Sequence, residues 1–399
     1  MVFEVVIGRS RKQIEKYGKE GTILIGKQYV QMGQTRSLSN PVYLDVAGSH
    51  VVFIVGKRGS GKCLHGDTLI TLNDGSVAKI KDLENNDNDI FTLDENLKIK
   101  KGQKSNFFKR PTNKLIEIGL RSGRTIKLTP EHPLLTIKGW VPTEKLGFGS
   151  RIATPRKVEA FGENSMPEHE IKLLAYLIAE GHLGNGFVLF SNMDEKILQE
   201  FKQSVTYLDS NLRVDLHSKK GCYRVSQIKK VMTEQSKKGA LGRFNVGPKF
   251  AHSSIRNWIE RFGLYNQNSL TKFIPKEIFR LPKHQLSLFL NRLFSCDGTI
   301  YKKAGHWFVS YCSSSKEIID TVQHLLLRFG VLSKIRNKNI KLNGKIFYSQ
   351  ELEVYGENVN QYLQEIGFYG KKEEKAKIAL LESVKIVRNP NVDTIPKEI

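Results

Sequence analysis

A phosphate loop stops one residue short of completion at Lys62, so whatever follows has to be read as a separate folding unit. The apolar run Val51-Val52-Phe53-Ile54-Val55 leads into Gly56-Lys57-Arg58-Gly59-Ser60-Gly61-Lys62. That is a strand entering a loop of the form G-x-x-x-x-G-K-S/T, with Gly56, Gly61 and Lys62 as its phosphate-binding positions. A Ser or Thr whose hydroxyl holds Mg²⁺ should come next, and then a helix whose N-terminus faces the phosphates. Cys63 comes instead, and Leu64 to Leu72 alternates as a strand does. The loop is intact up to its last position, which points to insertion rather than decay. Those three residues would bind nucleotide only after a downstream segment restored the hydroxyl and the helix.

The chain has 399 residues, enough for two or three domains with cores of their own. Short strands separated by turns occupy residues 1–62 (Val2 to Ile7, Thr22 to Ile25, Val42 to Val46 and Val51 to Val55). Residues 63–165 are also strand-rich, with turn signals at Asn73-Asp74-Gly75, Asn86-Asp87 and Ser122-Gly123. Helical periodicity appears only after about residue 168. The expected class is therefore α+β, divided at 1–62, 63–165, 166–372 and 373–399.

Lys and Arg number 63 against 40 Asp and Glu, a formal net charge of +23. That excess favours a polyanionic partner, nucleic acid before others, over an ordinary solvated surface. The four cysteines, Cys63, Cys222, Cys296 and Cys312, have neither metal-ligand spacing nor a disulfide framework. They suit a reducing cytoplasm. No apolar run reaches the roughly 18 residues of a membrane helix and no signal peptide follows Met1, so the expected location is cytoplasmic, away from membranes.

An internal repeat organises the second half. Leu173-Leu174-Ala175-Tyr176-Leu177-Ile178-Ala179-Glu180-Gly181 is matched by Leu290-Asn291-Arg292-Leu293-Phe294-Ser295-Cys296-Asp297-Gly298, an offset of 117 residues. A strand follows each copy, Phe187 to Phe190 and Phe308 to Tyr311. Helices with Ile197-Leu198 and Ile318-Ile319 come next, at an offset of 121. Two related halves in one chain imply a pseudo-dimer able to treat two DNA strands alike.

Cys63 to Leu72 resembles the first block of an intein, and Gly123 to Pro133, which contains Thr129-Pro130-Glu131-His132-Pro133, resembles the second. Gly139-Trp140-Val141 to Arg151-Ile152 is similar to the end of the same splicing (Hint) domain. The resemblance implies that Cys63 attacks the Lys62 carbonyl in an N-to-S acyl shift. His132 would protonate or distort the scissile amide, and Thr129 would hydrogen-bond it. A thiolate nucleophile with a proton donor for its leaving nitrogen is sound chemistry. Each motif alone also fits a buried cysteine or a simple turn. Inteins end in His-Asn before Ser, Thr or Cys, and Asn389 and Asn391 lack that histidine. The tail resembles the return from endonuclease to splicing domain, and the rest is expected either in a continuation of this chain or on a second, carboxyl-terminal intein and extein polypeptide.

The repeated helices resemble the two motifs of LAGLIDADG (DOD-type) homing endonucleases, which commonly sit inside inteins. The resemblance runs from about residue 168 to 372 and implies a pseudo-twofold αββαββ endonuclease carried by a β-rich Hint domain. Small residues (Ala175, Ala179, Ser295) would let the two helices pack closely, so that Glu180 and Asp297 converge. These acids would be both catalytic residues and Mg²⁺ ligands for a double-strand cut in DNA. Thr271-Lys272-Phe273-Ile274-Pro275 resembles the Lys-x-Ile-Pro block before the second motif. That makes Lys272 a candidate basic residue at the cleaved phosphate, and Lys345 is another. Either also fits a solvated surface lysine. The endonuclease is expected to act as a monomer on double-stranded DNA through basic stretches such as Lys219-Lys220, Lys229-Lys230, Lys237-Lys238 and Lys334 to Lys345.

Residues 1–62 resemble the start of a HerA/FtsK-like ATPase, a short match through Gly21 to Lys27 and the phosphate loop. ATP would serve only the spliced host. The alternative is a P-loop ATPase fragment with a non-catalytic DNA-binding insertion, which accounts for the first 62 residues alone.

Overall fold

The computed structural model describes residues 4–383 apart from 8, 33–34, 46–61, 86–88, 105–106, 185, 219–220, 235–236, 239–243, 247–248 and 343. The strand expected at Val51–Val55, Gly56, Gly61, the turn residues Asn86-Asp87, Lys219-Lys220 and the tail after Ser383 lie outside the described residues. The chain divides into two compact units, Met1–Ser60 and Gly61–Ile399.

In the first unit β1 (Val5–Ile7) runs parallel to β3 (Thr35–Asp45), and β2 (Thr22–Met32) pairs with β3 antiparallel. Helix α1 (Arg11–Tyr17) starts in a capping box between Ser10 and Gln13.

The first part of the second unit is a set of antiparallel two-stranded ribbons. β4 (Leu69–Thr71) pairs with β5 (Val77–Lys79), and β6 (Ile90–Leu93) with β7 (Ile99–Gly102). β8 (Ile116–Gly119) pairs with β9 (Thr125–Leu128), and β10 (Pro133–Thr136) with β11 (Gly139–Pro142). The expected turns at Gly75 and Gly123 are present, with φ of 83° and 88° that suit glycine. The continuous strand read over Leu64–Leu72 is interrupted, however. Leu64 makes a single bridge to Leu128, the chain turns at Gly66-Asp67, and only Leu69–Thr71 is a strand. The His65 carbonyl closes that turn by accepting from the Thr68 N–H at 2.9 Å, so the alternating pattern spans two short pieces.

From Glu168 onward two halves share one connectivity. The first runs α2 (Glu168–Glu180), β12 (Gly181–Gly184), β13 (Phe187–Ser191), α3 (Glu195–Leu208), β14 (Leu212–Leu216) and β15 (Cys222–Gln227). Between the halves come β16 (Met232–Glu234), β17 (Lys237–Lys238), β18 (Phe244–Val246), β19 (Lys249–Phe250), α4 (Ser254–Arg261) and α5 (Lys276–Phe279). The second half runs α6 (Lys283–Asp297), β20 (Gly298–Lys303), β21 (His306–Ser313), α7 (Lys316–Arg328), β22 (Lys334–Leu342) and β23 (Lys345–Val354). The sheets have matching orders, β12-β13-β15-β14 and β20-β21-β23-β22. Helices α8 (Asn358–Glu365) and α9 (Lys372–Ser383) close the described chain, and α9 packs on β20 and β21.

Helix α2 is buried at every position from Leu173 to Ile178. A helix apolar on all sides has to be central, and α2 packs against α6 in the core shared by both halves. Leu286, Phe289, Leu290 and Leu293 of α6 are fully buried there, each contributing about 1.5–3 kcal/mol by leaving water. Among the described residues no helix is long and apolar enough to cross a membrane.

Candidate functional sites

Two clusters gather most of the residues that the sequence singles out. The first surrounds the Lys62–Cys63 peptide. β9 brings Leu128 against Leu64, and the Lys127 carbonyl accepts from the His65 N–H at 2.9 Å. One residue further, Thr129 clamps Cys63 from both sides. Its Oγ1 receives the Cys63 N–H at 3.0 Å, and its own N–H donates to the Cys63 carbonyl at 3.0 Å. The Cys63 N–H belongs to the Lys62–Cys63 amide, so Thr129 holds that peptide directly.

His132 follows in the turn after Thr129, its N–H donating to the Thr129 carbonyl at 3.0 Å. Thr143, nearly buried, secures the His132 carbonyl through its N–H (2.9 Å) and hydroxyl (2.7 Å). Burial pushes the imidazole pKa down, opposed by a hydrogen bond to the Lys62 backbone. His132 Nδ1 is buried without a partner among the described residues, and such orphans are rare in folded proteins. Thr143 is absent from the sequence reading, which offers no signal for it beyond its place ten residues past Pro133.

The second cluster lies at the carboxyl ends of α2 and α6. Glu180 closes α2 and Asp297 closes α6, and each helix passes directly into a strand at the following glycine. Close backbone requires those glycines. A Cβ on Gly181 would lie 2.5 Å from the Leu177 carbonyl oxygen, and one on Gly298 equally close to that of Phe294. Burial raises the Glu180 pKa to about 7, with the Asp297 charge adding to it. Burial also raises Asp297, to about 6. Both acids sit at helix carboxyl ends, where the dipole further disfavours negative charge. Two carboxylates with raised pKa values in one cleft mark a candidate functional site.

Lysines compensate from behind. Lys272, 5% exposed, donates to the carbonyls of Leu177 (2.8 Å), Ile178 (3.0 Å) and Gly181 (2.6 Å). All three ammonium donors are thus engaged by the end of α2. Burial lowers its pKa to about 8, against the pull of Asp297 and Glu180. Lys372 does the same for α6, donating to Ser295 (2.6 Å) and Cys296 (2.8 Å) carbonyls. Sequence reading missed Lys372, since no Lys-x-Ile-Pro pattern surrounds it. It also missed Asn192, whose Nδ2 donates to Glu180 Oε2 at 2.6 Å.

Ala175 and Ser295 are buried and Ala179 packs against the core, as small residues between close helices should. Among the described residues no group of three or more His, Cys, Asp and Glu is arranged to hold a metal alone. Glu180 and Asp297 fit a divalent ion nonetheless. They are hard oxygen donors, desolvated by burial, whose remaining ligands would be phosphate and water oxygens.

The other expected residues are scattered. Lys345 opens β23, its side chain outside the described atoms. Lys62 is exposed, and Lys229 and Lys230 lie on the surface. On β22, Arg336 pairs with Glu351 (2.7 Å) and Glu353 (3.1 Å), and Lys338 pairs with Glu351 (3.2 Å). That positive stretch is therefore partly neutralised by its neighbouring strand.

Comparison with known proteins finds a family match over part of this geometry. Residues 284–367, from α6 through α8, match the LAGLIDADG-like domain. The chain is 32% identical over 371 residues to the replication factor C small subunit of Methanocaldococcus jannaschii, covering 88% of this chain and 18% of that protein. It is 28% identical over 356 residues to the replicative DNA helicase DnaB of Synechocystis sp., covering 86% and 38%. The chain thus spans well under half the length of either relative. Among solved structures, the Ssp DnaB mini-intein variant M86 is similar at 36% identity and a TM-score of 0.23, over 24% of this chain and 61% of that one. I-DmoI in complex with DNA and Mn is similar at 12% identity and a TM-score of 0.30, over 50% and 96%.

Proposed function

We propose that the chain is an intein-borne homing endonuclease, making a metal-dependent double-strand cut in DNA and carrying the first step of protein splicing at Lys62–Cys63. The observation that carries the endonuclease reading is the meeting of Glu180 and Asp297 at the ends of two packed helices, of which the second lies in the segment similar to the LAGLIDADG-like domain. The relatives support the intein. One stretch shared with a replication factor C subunit and with a helicase, and a minor part of each, is what a segment inserted into unrelated hosts would give.

In the cleavage reaction Glu180 and Asp297 would hold a divalent ion against the scissile phosphates through their carboxylate oxygens. Asn192 orients Glu180, while Lys272 and Lys372 neutralise the helix ends so that two acids can coexist. A bound divalent ion, Mg²⁺ in this reading, supplies activation of the attacking water and stabilisation of the leaving oxygen. The phosphorus–oxygen bond breaks on each strand as the water oxygen bonds to phosphorus.

In the acyl shift the Cys63 sulfur bonds to the Lys62 carbonyl carbon and the carbon–nitrogen bond breaks. Thr129 holds the amide N–H, and His132, kept neutral by burial, relays the thiol proton to the departing nitrogen. The products are a Lys62 thioester and a free amine on Cys63. ATP binding through Gly56, Gly61 and Lys62 belongs to the spliced host in this reading, which is taken as an ATPase.

The test is a plasmid encoding the uninterrupted loop, closed with Ser or Thr after Lys62, incubated with the chain and Mg²⁺. Cleavage near the loop codons, lost in both Glu180→Gln and Asp297→Asn, is the expected result. Cleavage that survives both changes, or DNA bound and never cut, would overturn the endonuclease reading.

A further inference from the structure

The ribbons that carry Cys63 and Thr129 are fastened to the endonuclease half by side chains that neither active site uses. A two-stranded ribbon is marginal on its own, and among the described residues β8–β9 gains only the single Leu64–Leu128 bridge beyond its own pairing. Its turn is held at one point by Gln323 of α7. This residue is 2% exposed, unusual for a glutamine, and both its amide atoms are used. Oε1 accepts from Arg124 Nε at 3.0 Å, and Nε2 donates to the carbonyls of Ser122 (3.0 Å) and Ser333 (3.1 Å). The Ile335 N–H of β22 donates to the same Ser122 carbonyl at 2.9 Å. Between Ser122 and Arg124, a Cβ on Gly123 would lie 2.8 Å from the Ile335 Cβ, so the turn sits flush on β22.

A second fastening is independent of the first. Arg328, fully buried, donates to the carbonyls of Gly75 (2.6 Å), Ala160 (2.6 Å) and Phe279 (2.7 Å). It ties the β4–β5 turn to the end of α5 and to the segment before α2. Arg280 reaches the same turn through Asp74 at 3.1 Å.

We infer that Gln323 is a positioning residue for the Lys62–Cys63 acyl shift: through Arg124 and Ser122 it fixes the strand whose far end places Thr129 on the scissile amide. The endonuclease half is then the scaffold for the splicing chemistry as well as a passenger within it. The path is short. β9 runs from Thr125 to Leu128 and Thr129 follows at once, so a displaced turn moves the clamp. This inference rests on the acyl-shift reading of Cys63.

The experiment uses the full chain and dithiothreitol, following release of residues 1–62 by mass spectrometry. Wild type, Cys63→Ala, Gln323→Ala and Gly123→Ala are compared, with thermal unfolding measured in parallel. Gln323→Ala and Gly123→Ala are each expected to slow release at least about tenfold, the scale set by small misplacements of reacting groups. The deficit should persist at saturating thiol and well below the unfolding temperature, where lost stability alone leaves rates untouched. Release at the wild-type rate in both variants overturns the inference, as does a deficit that vanishes on cooling. No Cys63-dependent release from wild type would instead remove the acyl-shift reading itself.

Discussion

Lys272 and Lys372 are structural counterparts: each places an ammonium on the last carbonyls of one of the two central helices, the buried Lys272 on α2 and the half-buried Lys372 on α6. Each segment is also anchored at the N-cap of a helix in the opposite half. The Lys272 carbonyl accepts from Ser315, the cap of α7, and the Lys371 N–H donates to Asp194, the cap of α3, at 2.6 Å. The two halves are thereby cross-tied where the acids meet.

Replacing Lys272 with methionine removes three hydrogen bonds and the positive charge beside both carboxylates. Unsatisfied buried groups cost about 1–3 kcal/mol each, so unfolding should move to clearly lower denaturant. The surviving enzyme should need higher pH to cleave, because Lys272 pulls both acids down. A wild-type pH profile in the folded variant would remove Lys272 from the site.

Cleavage itself should be pH-dependent in a defined direction. With Glu180 near 7 and Asp297 near 6, the ionised pair that binds a metal is depleted below neutrality. At limiting Mg²⁺ the rate should climb from pH 6 to pH 8, and added Mg²⁺ should shift the rise toward acid as metal competes with protons. A rate flat across that range at limiting Mg²⁺ would contradict the assignment.

Stability should respond with the opposite sense. Both folded pKa values lie above their ordinary values, so the native state holds more protons than the unfolded state between about pH 4 and 7. Stability therefore falls as pH rises through that window. Glu180→Gln and Asp297→Asn should raise Tm at pH 8, by roughly 2–4 °C per kcal/mol recovered, and leave it unchanged near pH 4. Calorimetry at the two pH values separates this from a general packing effect.

Thr129→Val keeps the volume of the clamp but removes the oxygen that receives the Cys63 N–H. Thiol-dependent release of residues 1–62 should slow by about tenfold or more, and Cys63→Ala should abolish it. Equal release from Thr129→Val and wild type would show that the hydroxyl does not serve the scissile amide.

How much of this was legible beforehand differs between the two sites. Cys63 stands out because it interrupts the phosphate loop, Thr129 and His132 because the block around them resembles an intein's, and Glu180 and Asp297 because a repeat marks them twice. Lys372 and Asn192 gave no such signal. Their role depends on which helix end each meets, and Asn192 touches Glu180 from twelve residues away across a strand turn.

The repeated acid-glycine helices, the strand-rich stretch before them and the positive charge can be read from the residues in order, since periodicity and local motifs are written residue by residue. Folding in three dimensions sets that Lys272 faces backbone carbonyls, that Arg336 and Lys338 are partly neutralised by Glu351, and that Gln323 and Arg328 bind the ribbons to the helical half. Those are contacts between residues as far apart as Gly75 and Arg328. Burial gives such contacts their energy, and burial exists only once the core has formed.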